Sequence, residues 1–350
     1  MATHKKPESE RFKGPVKFVE YLLARGLVTF LQRVPIRFAY RLGRAVGWLA
    51  WRVMVRRREI VRKNLGIINA WITGKENCPQ GLAAAVEGNR LQERNGKKRD
   101  TVSSPVTASP QPASSSCHPA LVLSEEAQVK EVFQRAGANL FSGFTFNRMP
   151  AKQVGRHIRI EGIEYFNAAV EERRGVVVLL AHMGPWEALT QLPRLAKLNG
   201  LEAKFGAMYR PLNNRYLDDW YRTQREARGT RLFSRRDGFH KPVDFLRAGG
   251  ILGILADQKM KRGERVPFFG QEVKTSPIAG LMQRRSKAVA VSMSVSSDST
   301  CQWTLKIRPF EFPSDRSDRD RVNEAAVCNQ ALEVALSDSF LDGFWFHGRF

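Results

Sequence analysis

The chain has 350 residues, and its 57 Lys and Arg against 34 Asp and Glu give a formal net charge of +23. Apolar residues make up 43% of the chain, which excludes a wholly disordered protein, and the length is enough for one large domain or two ordinary ones. The 4 cysteines include no C-x-x-C pair, so a disulfide scaffold is excluded, a structural zinc site is disfavoured and a reducing compartment fits best. The excess positive charge indicates an anionic partner: nucleic acid, a membrane surface or an acidic protein.

The positive charge is concentrated at the N-terminus, where residues 1–64 contain 16 Lys and Arg against 4 Asp and Glu. Apolar side chains recur there at steps of three and four, first over residues 18–31 and then over residues 38–55, which predicts two amphipathic helices. With Trp48 and Trp51 on the second helix, we interpret these helices as lying in a membrane interface that faces anionic lipid. The alternative is that they pack on the protein's own core and leave their cations in solvent.

Neither a membrane span nor a signal peptide is predicted. The best candidate span, residues 42–55, has 14 residues and would reach about 21 Å as a helix, against a hydrocarbon core of roughly 30 Å. It also contains Arg44 and Arg52. The first 13 residues are polar, and no apolar run is followed by a small-residue cleavage site.

Composition divides the chain into three parts. Residues 1–70 form the basic N-terminal part, and residues 124–350 show regular periodicity. Between them, residues 71–123 become rich in Ser, Thr and Pro, which predicts a disordered insertion because such a segment cannot bury enough apolar area to offset its ordering entropy. Cys117 and His118 lie inside this insertion, and we do not expect them to bind metal or take part in catalysis.

Strands and helices alternate through the third part of the chain, after a helix at residues 124–141. Strands are predicted at residues 176–181, 203–209, 230–233, 250–256, 288–295 and 302–309, and helices at 188–198, 215–228, 243–248, 277–286 and 319–337. The first and fourth strands are continuous apolar runs, which is typical of strands covered on both faces. The sequence therefore predicts an α/β fold with a mixed, mostly parallel sheet layered with helices and preceded by the N-terminal interface helices.

Two of the buried strands end in a polar residue, and in α/β sheets ligands bind beyond the carboxyl ends of the strands. His182 follows the first strand and Asp257 follows the fourth. Glu187 lies five positions after His182, beyond a Gly-Pro turn that would let it fold back onto the imidazole. A histidine held by a carboxylate can act as a general base on a hydroxyl. The spacing alone is weak evidence, since roughly 0.5 chance matches are expected in such a chain, and a core histidine followed by a helix-initial glutamate is the alternative.

The residues around this pair carry a resemblance to a known family. The apolar strand followed by H-x-G-x-W-E at residues 178–187 resembles the lipid A biosynthesis acyltransferase family, the late lauroyl/myristoyl transferases of the H-x4-[DE] acyltransferase superfamily. The family's other motifs match a Tyr-Arg-Pro step at 209–211, an Asp-Gln pair at 257–258, V-P-F-F-G at 266–270 and a basic segment ending in Asn-Leu at 56–65. The resemblance covers residues 15–70 and 125–350. The insertion departs from the pattern, and the ending at 345–350 only approximates it, which leaves Arg349 without an assigned role.

The resemblance implies transfer of a fatty acyl chain from acyl carrier protein to a hydroxyl of a membrane glycolipid such as a lipid A precursor. His182 would then be the general base, and Glu187 would hold its tautomer. Arg210 would bind the oxyanion or an acceptor phosphate, and Asp257 would position Arg210 or its loop. The remaining residues assigned to substrate binding are Gly184, where a side chain could block the carbonyl, Trp186, Gln258 and Thr275. No metal and no cofactor is expected beyond the co-substrate, acyl carrier protein or coenzyme A carrying the acyl group.

The implied partners are an acidic acyl carrier protein, an anionic lipid surface and a glycolipid acceptor, with no nucleic acid. The implied location is the cytoplasmic face of the cell inner membrane, with peripheral or monotopic attachment. Two alternatives remain. The acceptor could be a lysophospholipid, glycerol phosphate or a phosphatidylinositol mannoside, or the chain could be a non-enzymatic basic protein that binds membranes or nucleic acid.

Overall fold

The computed structural model describes residues 13–76, 119–234, 238–313 and 320–350. Three helices open the chain: α1 (Pro15–Leu31), α2 (Ile36–Val53) and α3 (Val55–Glu76). Helix α3 thus continues past residue 70, where the insertion was predicted to begin, and a short 3₁₀ helix at Pro119–Val122 leads into the body. The rest of the predicted insertion, with Cys117 and His118, lies outside the described residues.

The body is an α/β sheet layered with helices. Its helices are α4 (Glu125–Phe146), α5 (Ala151–Val154), α6 (Glu164–Glu171), α7 (Leu192–Leu198), α8 (Arg215–Glu226), α9 (His240–Arg247), α10 (Ile278–Ser286) and α11 (Arg321–Ser337). Its strands are β1 (Ile158–Glu161), β2 (Val176–Leu180), β3 (Phe205–Tyr209), β4 (Thr230–Ser234), β5 (Ile251–Leu255), β6 (Glu264–Phe268), β7 (Gln271–Thr275), β8 (Val289–Ser297) and β9 (Trp303–Pro309). Within the described part of the chain, seven strands form one sheet in the order β1-β9-β8-β2-β5-β3-β4.

The strand pairing confirms the predicted mixed, mostly parallel sheet. Every neighbouring pair in the large sheet is parallel except β8 with β9. Strand β2 lies between β8 and β5 and all five of its residues are buried, as its continuous apolar run predicted. Strand β1 and the antiparallel hairpin of β6 and β7 were not predicted, because β1 is a four-residue edge strand and the hairpin strands carry charged residues.

Helix α2 packs closely on helix α4 through glycines. A Cβ added at Gly43 would lie 2.3 Å from the Gly137 carbonyl oxygen, and one at Gly47 would lie 2.2 Å from the Phe133 carbonyl oxygen. This face of α2 therefore packs on the protein's own body, which was the alternative to a membrane-interface helix. Large apolar side chains elsewhere on α1 and α2 are exposed, among them Leu22, Leu23, Leu27, Phe30, Phe38, Trp48, Leu49 and Val53. Among the described residues, no helix is long and apolar enough to cross a membrane.

The end of the chain returns to the carboxyl edge of β2 and fixes the loop that follows this strand. Met183 and Gly343 form a β-bridge, and the Phe344 amide donates to the His182 carbonyl oxygen at 2.8 Å. The Gly184 amide donates to the Asp342 carbonyl oxygen at 3.0 Å. The buried Asp342 carboxylate in turn accepts hydrogen bonds from Arg135 and Asn139 of α4, both at 2.9 Å. Segments from three parts of the chain therefore hold the turn after β2.

Candidate active site

His182 and Asp257 meet at the carboxyl edge of the sheet. Strands β2 and β5 pair in parallel with Leu180 opposite Leu255, so the residue two positions beyond each strand lies at the same height. The imidazole Nδ1 donates to Asp257 Oδ1 at 2.6 Å. The sequence prediction that Glu187 holds this imidazole was therefore wrong, because the parallel register brings a different carboxylate to the ring.

Glu187 pairs with a cation of helix α8. Arg225 donates from Nη2 to Glu187 Oε1 at 2.7 Å and from Nε to Oε2 at 3.4 Å. Glu187 lies in the 3₁₀ turn Trp186–Gln191, which directs its side chain towards α8. Burial alone would lower the pKa of the Arg225 guanidinium, but the charge and hydrogen bonds of Glu187 outweigh the effect of burial, so the pKa is raised. The pair ties the turn after His182 to α8.

The ionised carboxylate of Asp257 fixes the tautomer of His182. The carboxyl is buried, which alone would raise its pKa, but the neighbouring imidazole lowers the pKa below its ordinary value through charge and hydrogen bonding. An ionised carboxylate only accepts hydrogen bonds, so Nδ1 is the donor in this bond, and the neutral form of the ring has its electron pair on Nε2. The side-chain nitrogen of Gln258 lies 3.4 Å from that Nε2. The imidazole is thus oriented as a base whose outer nitrogen is available to a substrate.

Gly184 and Trp186 shape the turn next to this base. Gly184 has φ +58°, and a Cβ there would lie 2.6 Å from Val295 Cγ1, so the backbone conformation and the contact with β8 both require glycine. The Trp186 ring packs edge to face on His182 with 5.8 Å between centroids, and on Phe344 with 5.4 Å. Trp186 thus holds the imidazole between the sheet and the C-terminal segment.

Thr275 is hydrogen-bonded to the buried Arg349. Thr275 Oγ1 accepts from Arg349 Nη2 at 3.0 Å and donates to Asn329 Oδ1 at 3.0 Å. Arg349 Nη1 donates to the carbonyl oxygens of Lys274 at 2.8 Å and Gln258 at 3.3 Å. Burial lowers the pKa of Arg349 to about 10, opposed by the charge of Asp257. Sequence reasoning left Arg349 aside, yet it fixes the backbone next to Asp257.

Arg210 is not part of this hydrogen-bonded group. It follows β3, on the far side of β5 from β2, and its side chain is exposed. The carboxylate of Asp257 bonds to His182, and the described residues show no bond from it to Arg210, so the predicted positioning of Arg210 was wrong; the alternative role, positioning of the loop, stays a prediction. Strand order places β5 between β3, which precedes Arg210, and β2, which precedes His182.

An apolar groove of about 550 Å³ is lined in part by residues that contact His182. Its walls come from α2, α4 and the C-terminal segment, and include Val46, Gly47, Ala50, Met54, Phe133, Ala136, Gly137, Leu140, Phe141, Phe344 and Phe346. Trp186, Gln258 and His347 line the same groove, so it reaches the residues around His182. Val46 and Met54 are 42% and 44% exposed, so the groove opens to the surface along α2. Its size lies in the range of ligand pockets, and its lining suits an aliphatic chain.

Comparison with known proteins agrees with the motifs. The sequence model of the family "Bacterial lipid A biosynthesis acyltransferase" matches residues 119–350. The lipid A biosynthesis palmitoleoyltransferase of Escherichia coli (strain K12) is 25% identical over 231 residues, which cover 64% of this chain and 72% of the relative. The lipid A biosynthesis acyltransferase of Shigella flexneri is similar to the same extent. The resemblance drawn from the motifs is confirmed, and the chain belongs to the bacterial lipid A biosynthesis acyltransferase family, whose members are O-acyltransferases.

Proposed function

We propose that this protein moves a fatty acyl chain from the thioester of acyl carrier protein to a hydroxyl of a lipid A precursor, with His182 as general base and Asp257 as the residue that orients it. The observation that carries the proposal is the His182 imidazole bonded through its inner nitrogen to Asp257 at 2.6 Å, with Trp186 and Gln258, which contact the ring, lining the apolar groove. A base of this kind suits a hydroxyl nucleophile.

The chemistry needs no acyl-enzyme and no cofactor besides the thioester. The acceptor hydroxyl takes the place of the Gln258 amide at Nε2 and gives its proton to His182 as its oxygen attacks the thioester carbonyl carbon. Asp257 stabilises the imidazolium that forms. When the carbon–sulfur bond breaks, the imidazolium returns the proton to the leaving thiolate, which yields an ester and a free thiol.

The groove is our candidate for the acyl-chain site. Each methylene of the chain buried there contributes about 0.8 kcal/mol. Small residues on two walls, Ala50 of α2 and Ala136 of α4, leave the width that a chain needs. The positively charged body suits the acidic carrier protein, and the exposed Arg210 stays our candidate for a phosphate of the acceptor.

Helices α1 and α2 are our candidate for membrane attachment, at the cytoplasmic face of the inner membrane where the carrier protein is available. Leu23 and Leu49 are 70% and 54% exposed, and the Arg52 guanidinium lies 4.8 Å from the Trp48 ring centroid. An apolar surface bordered by cations and Trp suits anionic lipid. The groove opens along the same α2, so an acceptor that enters from the lipid surface would reach it directly.

The test is acyl transfer by the full chain on vesicles that contain an anionic lipid and a lipid A precursor. Mass spectrometry should record a gain of one acyl chain with acyl carrier protein as donor. The change His182→Ala should lower the rate by at least about 100-fold, the low end of general-base contributions, and leave vesicle binding intact. His240→Ala, at an exposed histidine that begins α9, is the matched control.

Three outcomes would contradict the proposal. Full activity of His182→Ala would remove the general base. Acylation of a lysophospholipid or glycerol phosphate in place of the lipid A precursor would reassign the acceptor. Steeply salt-dependent binding to duplex DNA without acyl transfer would favour a nucleic-acid-binding protein.

A further inference from the structure

His347 is half-buried, and its two ring nitrogens have no hydrogen-bond partner in the described part of the chain. Both nitrogens are shielded from solvent. The ring packs on Phe344 with 6.3 Å between centroids and lines the apolar groove. A buried polar group without a partner costs about 1–3 kcal/mol, and a partner that arrives with the substrate would remove this cost.

The backbone on both sides of His347 is fixed from helix α3. The side-chain nitrogen of Asn64, which is buried, donates to the carbonyl oxygens of Trp345 at 2.9 Å and of His347 at 3.0 Å. Arg57 donates to the carbonyl oxygen of Phe346 at 2.7 Å. These bonds hold the ring against the groove, whose lining also includes Trp186, which packs on His182. The position of the ring is thus set independently of any bond that the ring itself makes.

Three backbone amides in the turn after β2 are already occupied by hydrogen bonds. In the turn after β2, the Met183 amide donates to the carbonyl oxygen of Ala181, and the Trp186 amide to that of Gly184. The Gly184 amide donates to the carbonyl oxygen of Asp342. An acyl transferase needs a donor for the oxyanion, and these backbone amides are not available for it.

His347 is in the protonation state that such a donor requires. Burial lowers the pKa of the imidazole, and the charges of His182 and Arg349 lower it further, while Asp257 opposes them. A neutral imidazole has one N–H donor and one acceptor nitrogen. It can therefore donate to an oxyanion without giving up its proton and without competing with His182 as a base.

We propose that His347 donates its ring N–H to the thioester carbonyl oxygen and stabilises the oxyanion of the tetrahedral intermediate. This inference rests on the proposed acyl transfer. As the acceptor oxygen bonds to the carbonyl carbon, its proton goes to His182 and the carbonyl π electrons move to the oxygen, which then accepts the His347 N–H. When the carbonyl re-forms, the carbon–sulfur bond breaks and the thiolate takes the proton from His182. His347 keeps its own proton throughout.

Two substitutions separate donation from packing. His347→Phe keeps an aromatic ring and removes the donor, whereas His347→Gln keeps an N–H donor and removes the ring. We expect His347→Phe to lower kcat by about 100- to 1,000-fold, the loss typical of one oxyanion donor, with little change in the KM for acyl carrier protein. His347→Gln should recover at least about tenfold of that loss. Since the ring makes no hydrogen bond to the described residues, both variants should fold, which thermal unfolding would check.

Several results would overturn the inference. A higher kcat in His347→Phe than in His347→Gln would assign His347 to packing. Equal losses of kcat in the two variants would also contradict hydrogen-bond donation. A loss confined to KM would assign His347 to ground-state binding. The proposed function is tested separately by the wild-type protein and His182→Ala on the same vesicles. If those behave as expected while His347→Phe keeps its full kcat, the oxyanion role alone is wrong.

Discussion

The substitution Asp257→Asn tests which carboxylate works with His182. The amide keeps the size of the side chain, so packing around this buried position is preserved, but it removes the negative charge that stabilises the imidazolium. Hydrogen-bonded groups 2.6 Å apart have charge centres about 4 Å apart, and the attraction between unit charges at that distance is about 4 kcal/mol at an effective dielectric constant of 20. At about 1.4 kcal/mol per factor of ten, kcat should fall by about 1,000-fold.

The assay is single-turnover acyl transfer from saturating acyl carrier protein, so that product release does not mask the chemical step. The unfolding temperature of Asp257→Asn should stay within a few degrees of the wild type, since no cavity is made. The KM for the acyl donor should change little, because Asp257 acts on the imidazole and not on the donor.

Glu187→Gln is the matched comparison, because it makes the same chemical change in the other carboxylate. It removes the partner of Arg225 in an ion pair whose side chains are 10% and 27% exposed. Breaking this partly buried pair should cost about 2 kcal/mol, below the 3–5 kcal/mol of a fully buried one, and lower the unfolding temperature by about 5 °C. If Glu187→Gln lowers kcat more than Asp257→Asn does, the assignment of the dyad to His182 and Asp257 is wrong.

Three further expectations concern the surrounding residues. Gly184→Ala should lower the free energy of unfolding by at least about 2 kcal/mol and abolish activity, since its Cβ would contact β8. Gly200→Ala, also at positive φ but with no atom within 4 Å of the added Cβ, should lower the free energy of unfolding by only about 1 kcal/mol. Urea unfolding of both variants checks this difference. Arg349→Lys should lower kcat about tenfold, because a single ammonium cannot replace the hydrogen bonds of the guanidinium, and steady-state kinetics with a circular dichroism control would show it. Burial lowers the pKa of His347 in the folded protein, so below about pH 6.5 the unfolded chain binds the proton more readily and the free energy of unfolding should fall as the pH drops. In denaturant titrations between pH 7 and 5, the free energy of unfolding of His347→Phe should fall less than that of the wild type. An equal fall in both proteins would contradict this expectation.

The elements that sequence predicted well are those whose pattern is local. Strands β2 and β5 were found because their residues are apolar without interruption, and their ends located His182 and Asp257. The partner of the imidazole was predicted wrongly because it depends on β5 lying next to β2 in the sheet, although β3 and β4 come between them in the chain. Spacing along the chain favoured Glu187, five positions away, over a residue 75 positions away.

Residues whose role depends on distant contacts were missed. Asn64 belongs to a recognised basic motif, but its function as an anchor of His347 rests on a hydrogen bond between residues 283 positions apart. No local pattern distinguishes a histidine that faces a groove from one in an exposed tail.

The two faces of helix α2 contact different surroundings. Because its glycines pack closely on α4, the helix can shift only as a unit, so both faces move together. Its inner face forms a wall of the groove, and its outer face presents the side chains that we assign to lipid. A shift of α2 on a bilayer would therefore alter the width available to the acyl chain. Thermodynamic linkage makes that effect reciprocal: if lipid binding tightens the hold on the acyl chain by some factor, a chain in the groove tightens membrane binding by the same factor. An acyl-loaded protein would then stay longer on the surface where its acceptor lies, and an empty one would leave sooner.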